Sequence, residues 1–81
     1  MNILKVASST DAKKLSDAIK HFIDEKQQVE LQAVGAAAIN NLVKAIAILN
    51  FTSDNKIALE PSFKVYTIDG KERTGYSIIL K

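Results

Sequence analysis

The chain has 81 residues, 47% apolar and 25% charged, with a formal net charge of +2. That length fits one domain, 1–81, and leaves little framework for a self-contained cofactor enzyme, although a site built at an oligomer interface stays open. With no cysteine, 3 glycines and 1 proline, disulfide scaffolds, thiolate metal centres and collagen-like repeats are excluded, and the fold must rest on its core, on self-association, or on both.

Asn2 to Ala7 is a short strand, with Ile3, Leu4 and Val6 supplying β-propensity. Ser8-Ser9-Thr10-Asp11 then starts a helix: Ser9 or Thr10 can cap free amides, and Asp11 suits the positive end of the dipole. The first helix runs to about Lys26. Its apolar residues Leu15, Ala18, Ile19, Phe22 and Ile23 form one core-facing stripe. Gln28 to Val34 alternates, with Val29, Leu31 and Ala33 on one face, and reads as a half-buried strand. Gly35 is the hinge into a second helix, Ala36 to about Asn50. That helix is apolar nearly all round, with a polar stripe of only Asn40, Asn41 and Lys44, into which Ile48 also falls. A helix with so little polar surface is buried on more than one side, and a second copy of the chain is the expected cover.

Thr52 to Asn55 is a loop, and Lys56 to Ile68 is extended. Pro61 has no N–H for a ladder and marks an edge, a bulge or a break. Asp69-Gly70 is a two-residue hairpin turn, and Arg73 to Leu80 is the last strand, with Tyr76, Ile78 and Leu80 on one face. The order β-α-β-α-β-β predicts an α/β chain of the α+β two-layer type: a four-stranded mixed sheet with both helices on one face.

Chemistry is sparse. His21 is the one histidine, and no nucleophile or carboxylate is placed to converge on it, so catalysis and metal binding are not expected. Asp54, Glu60, Asp69 and Glu72 look like turn or solvated charges. Gly35-Ala36-Ala37-Ala38 opens a helix after a strand but lacks a nucleotide fingerprint, so close packing of the second helix is its expected role. Lys13 and Lys14 oppose the dipole of the first helix, a broken local rule that points either to function or to a solvated cluster. Lys71 and Arg73 flank the hairpin turn, with Lys64 and Tyr66 on the preceding strand, and a basic two-stranded ribbon can enter a nucleic-acid groove. Met1 to Lys5 leads into no apolar h-region, and the longest apolar stretch, Leu42 to Leu49, contains Lys44. No signal peptide or membrane span is expected, and the cytoplasm is the default location.

Glu30-Leu31-Gln32-Ala33-Val34-Gly35-Ala36, then Ala38-Ile39-Asn40 and Val43-Lys44-Ala45-Ile46-Ala47-Ile48, resembles the stage V sporulation protein S (SpoVS) family. Ile3-Leu4-Lys5-Val6, Pro61 with Phe63, Ile68-Asp69-Gly70 and Glu72-Arg73-Thr74 agree with that family as well. The resemblance covers nearly the whole chain. It implies a cytoplasmic bacterial regulator of sporulation and septation. The implied fold is that of the archaeal chromatin protein Alba, which dimerises and binds nucleic acid.

In Alba-like proteins the loop after strand one, the start of helix two and the hairpin contact nucleic acid. On this chain those regions hold Ser8, Ser9 and Thr10; Gly35; and Lys71 and Arg73. Val34 and Ala36 stand where Alba-type proteins carry basic residues, which weakens duplex binding because phosphate neutralisation drives that affinity. The expectation is therefore a non-enzymatic, cofactor-free binder of DNA or RNA, weak and non-specific, forming a dimer or tetramer. Its contacts are Lys71, Arg73 and Gly35, with Lys5, Lys13 and Lys14 peripheral, and its oligomer interface is Asn40, Asn41, Lys44 and Ile48. The competing expectation is a protein-interaction module of the same fold whose nucleic-acid surface has been lost.

Overall fold

Two short strands and two long ones make the sheet. The computed structural model describes residues 1–54 and 56–81. Its elements are β1 (Asn2–Val6), α1 (Ala12–Asp24), β2 (Val29–Ala33), α2 (Ala36–Thr52), β3 (Leu59–Ile68) and β4 (Lys71–Leu80). The sheet order is β1-β2-β4-β3, with β1 parallel to β2 and the other pairs antiparallel. This is the expected mixed sheet. The expected loop at Thr52 to Asn55 begins one residue later, because Thr52 closes α2, and Asn55 lies outside the described residues.

The period-two pattern fixes which face is buried. Leu4 and Val6 lie beside Leu31 and Ala33, and Ile78 lies opposite Leu31. Val29, Leu31 and Ala33 are buried together with Leu15 and Ile19 of α1 and Ala38, Leu42, Ala45, Ile46 and Leu49 of α2. Both helices therefore cover one face of the sheet. Only Leu15, Ser16 and Ile19 of α1 are fully buried, and Ile23 at the end of the predicted stripe is partly exposed. Ser16 is accommodated because its hydroxyl donates to the Lys13 carbonyl at 2.7 Å.

Helix ends are set locally. Asp11, not Ser9 or Thr10, is the cap of α1: its Oδ1 accepts from the amides of Lys13 at 2.9 Å and Lys14 at 3.1 Å. Thr10 is engaged elsewhere, in the turn described below. The cap carboxylate also offsets the two lysines of the first turn, and Lys13 pairs with Asp17 at 2.7 Å. At its other end α1 stops at Asp24, short of the expected Lys26. Lys26 takes φ 58°, and Gln27 N–H donates back to the Phe22 carbonyl at 2.9 Å, the bond of a Schellman turn.

Gly35, the residue before α2, has φ 94°, and a Cβ there would meet no atom within 4 Å. The glycine is required by its backbone angle and not by the close packing expected from sequence. Ala36 and Ala37 are likewise exposed, and only Ala38 is buried. Asp69 (φ 52°) and Gly70 (φ 75°) form the two-residue turn between Ile68 and Lys71. Positive φ at both positions matches the right-handed twist of the strands, so β4 starts at Lys71 rather than at the expected Arg73. Pro61 falls on β3, an edge strand, where its missing N–H is tolerated.

Leu31 has 0% exposure at the centre of this packing. Leu31→Ala is expected to cost about 2–5 kcal/mol, from lost transfer energy plus an unfilled cavity. The check is a lower urea midpoint at an unchanged m value.

Candidate functional site

Strand length decides where the candidate residues meet. Pairing between β2 and β4 ends at Ala33 opposite Tyr76, while β3 and β4 remain paired out to Ile68 opposite Lys71. The outer half of the hairpin therefore overhangs the body as a free ribbon, about 17 Å long at ~3.4 Å per residue. It accounts for the elongation of the molecule, whose longest extent is 42 Å. The ribbon projects past the carboxyl ends of β1 and β2. At that same end lie the β1–α1 loop, Gly35 and the first turns of both helices. The three regions named by the resemblance share one end of the molecule. Binding crevices in sheets with parallel strands form at such ends.

Alternation gives the ribbon two unlike faces. In register, Lys71 lies opposite Ile68, Arg73 opposite Tyr66 and Gly75 opposite Lys64, so these six share the side facing away from the helices. The helix side carries Phe63 opposite Tyr76, Val65 opposite Thr74 and Thr67 opposite Glu72. Neither helix extends over it: Phe63 is 77% and Val65 59% exposed. The Phe63 and Tyr76 rings lie 5.5 Å apart. Lys71 and Arg73 take part in none of the three ion pairs among the described residues.

Tyr66 anchors the ribbon to the body. Its ring lies over Gly75, its Cε2 2.9 Å from where a Cβ would sit, and that Cβ would also come 2.7 Å from the Ala33 carbonyl oxygen and 2.7 Å from Val34. The Tyr66 hydroxyl donates to the Tyr76 carbonyl at 3.2 Å, and the Lys64 ammonium stands 5.7 Å from the ring centre. Burial, then the nearby Glu30 charge, raises the Tyr66 pKa. Glu30 itself is held below the usual carboxylate value, chiefly by hydrogen bonds from Gln32 and Ser77, with a further contribution from Lys64. Lys64 is thus partly engaged with the body, whereas Lys71 and Arg73 lie further out. Glycine at position 75 gives no sequence signal of this role, because the groups that crowd its Cβ position, Ala33, Val34 and Tyr66, come from elsewhere in the chain.

The remaining candidates scatter. Lys5 shares the open face of the sheet but sits on β1, separated from the ribbon strands by β2. Lys13 and Lys14 are exposed in the first turn of α1, and Lys13 is tied to Asp17. His21 is exposed beside Phe22, with ring centres 5.6 Å apart.

The expected interface on α2 divides. Ile48 is half-buried, and Asn41 is turned inward, donating from Nδ2 to the carbonyls of Ala7 at 3.2 Å and Ser8 at 3.0 Å. Lys44 is exposed. Asn40 belongs to a different, exposed stripe with Ala36, Val43 and Ala47, and it borders a shallow groove against Thr74 and Tyr76 of the ribbon. Val43 is 50% and Phe51 91% exposed. The open apolar surface therefore runs through Val43, which an all-round apolar helix did not distinguish from core, and Phe51, which lies beyond the expected end of that helix.

The model of the stage V sporulation protein S (SpoVS) family matches residues 2–81. The chain belongs to this family. Membership suggests a role in sporulation, and the match spans every element described above. No described helix is long and apolar enough to cross a membrane.

Gly75→Ala in this SpoVS-family chain would drive a methyl into the Ala33 backbone. The expected result is a loss of about 1–3 kcal/mol, the range for overpacking a closed site. Thermal unfolding measures the loss, and faster amide exchange in the ribbon reports the displaced Tyr66.

Proposed function

We propose that this protein is a non-enzymatic regulator acting in sporulation, which binds nucleic acid weakly and without sequence preference and works as a homodimer. The observation that carries the reading is the segregation of the ribbon into a basic face, with Lys71 and Arg73 outermost, and an apolar face formed by Phe63, Val65 and Tyr76. A basic ribbon overhanging a helix-capped end suits a groove, where phosphate neutralisation supplies the affinity. Gly35 lets the backbone come close there, and Lys14 adds a peripheral contact. Lys13 and Lys5 are weaker contributors, one being paired and the other remote.

The apolar face of the ribbon is continuous in kind with Val43 on α2 across the groove. A second copy is the occupant that both supplies an equivalent patch and doubles the charge, from +2 to +4. Covering exposed aromatic and β-branched side chains is the dominant favourable term in such association.

The test is fluorescence anisotropy against labelled duplex DNA, single-stranded DNA and RNA at about 50 and 200 mM salt. Binding is expected to at least one of the three, with affinity falling steeply as salt rises. Lys71→Ala with Arg73→Ala should weaken it at least tenfold and lower the salt slope by about two, one per lost phosphate contact. Unchanged binding in the double variant overturns the site. No binding by the wild type at low salt favours a protein-interaction module instead.

Val43→Glu is expected to shift the dimer toward monomer, because an unpaired charge would enter an apolar interface. Sedimentation velocity reads that shift. A monomeric wild type overturns the homodimer.

A further inference from the structure

We propose that Asn41 is a positioning residue that holds the β1–α1 loop in the form that meets nucleic acid; the binding half of this inference rests on the function proposed above. The loop is a tight turn. Thr10 N–H donates to the Ala7 carbonyl at 3.1 Å, and Ala7 N–H donates to Thr10 Oγ1 at 2.8 Å. Those bonds close the turn on itself but do not set its orientation on the body. Asn41 does so from α2, with one amide group donating to two successive carbonyls, Ala7 at 3.2 Å and Ser8 at 3.0 Å. The Ala7 carbonyl thereby accepts two hydrogen bonds, the capacity of its lone pairs.

The chemistry of the exposed surface follows. Carbonyl oxygens repel phosphate, and here both are engaged by a donor from the body. Ser8 and Ser9, whose hydroxyls can donate, remain exposed. They sit at the end of the sheet where Gly35 and the ribbon converge. Asparagine is a poorer choice than alanine inside a helix. A residue that breaks local helix preference calls for a compensating role, and the two bonds to the loop supply it.

The experiment compares wild type, Asn41→Leu and Asn41→Gln. Leucine keeps the approximate shape, adds no charge and favours the helix, so the fold is retained. Each protein is measured by anisotropy with labelled duplex DNA, single-stranded DNA and RNA of about 20 nucleotides, a length that exceeds the ribbon. Each is also measured by thermal unfolding and by residue-resolved amide exchange. Asn41→Leu is expected to weaken binding about five- to tenfold, the effect of losing one or two hydrogen bonds that order a contact loop. Exchange at Ser8 and Ser9 should quicken while exchange in β2 and α2 stays the same. Asn41→Gln, which keeps the donor, should recover most of the affinity.

Wild-type affinity in Asn41→Leu overturns the proposal. So does a loss of protection throughout the fold, which marks a merely structural role. A wild type that binds none of the three probes overturns the binding half together with the function it rests on. Exchange at Ser8 and Ser9 then still decides whether Asn41 orders the loop, and unchanged rates in Asn41→Leu overturn that half as well.

Discussion

β3 and β4 each have 10 residues, whereas β1 and β2 have 5. Pairing between β2 and β4 stops at Ala33. Beyond that point the two long strands have only each other. Isolated two-stranded ribbons are marginal in water, so this one needs an anchor at its root. Tyr66 laid over Gly75, which itself packs close to Ala33 and Val34, supplies it. The anchored overhang gives the molecule its length and carries the outermost basic pair clear of the body. It also leaves one apolar strand face beyond the reach of either helix.

The same constraint explains the uneven burial of α2. Ala38, Leu42, Ala45, Ile46 and Leu49 pack on the sheet and on α1, yet Val43 and Phe51 stand in solvent. A body in which β1 and β2 have only 5 residues each offers too narrow a surface to surround a 17-residue helix. Binding and self-association are therefore linked in the proposed function. The basic face of the ribbon becomes a two-armed surface only if the apolar face is covered by a second copy.

Polar groups around the loops follow an economy of their own. Asp11 satisfies two helix amides and offsets the adjacent lysines. Asn41 engages two loop carbonyls. Asn50 brackets Ile57 beyond α2, accepting from its N–H at 2.7 Å and donating to its carbonyl at 3.2 Å. In each case one side chain holds two backbone groups, so short loops can turn sharply without leaving buried polar atoms unpaired. In the proposed function, holding the loops at the ribbon end in one arrangement lowers the ordering cost of binding.

Sequence alone determined the element order, the core face and the family. The family rests on the resemblance of residue blocks such as Glu30 to Ala36 and Asp69 to Thr74, whereas the first two rest on local signals, namely the stripe of α1, the alternation Val29-Leu31-Ala33 and the positive-φ preference of Asp69-Gly70. The position of Pro61 on an edge was legible for the same reason, since the missing N–H is a property of the residue itself. Counting outward from the turn also sets Arg73 opposite Tyr66, so the sidedness of the ribbon was within reach. Tertiary structure decided the rest. Asp11 displaced Ser9 and Thr10 as the cap because Thr10 is engaged with Ala7. Asn41, expected at an interface, donates to a loop more than 30 residues away in sequence. Gly75 is glycine because the Ala33 carbonyl, Val34 and the Tyr66 ring together occupy the space a Cβ would need. Val43 is exposed because it lies on the open stripe of α2, beside the groove to Thr74 and Tyr76 and not on the stripe that packs into the core. These outcomes depend on which distant groups arrive at the same place, and no local pattern of residues encodes that.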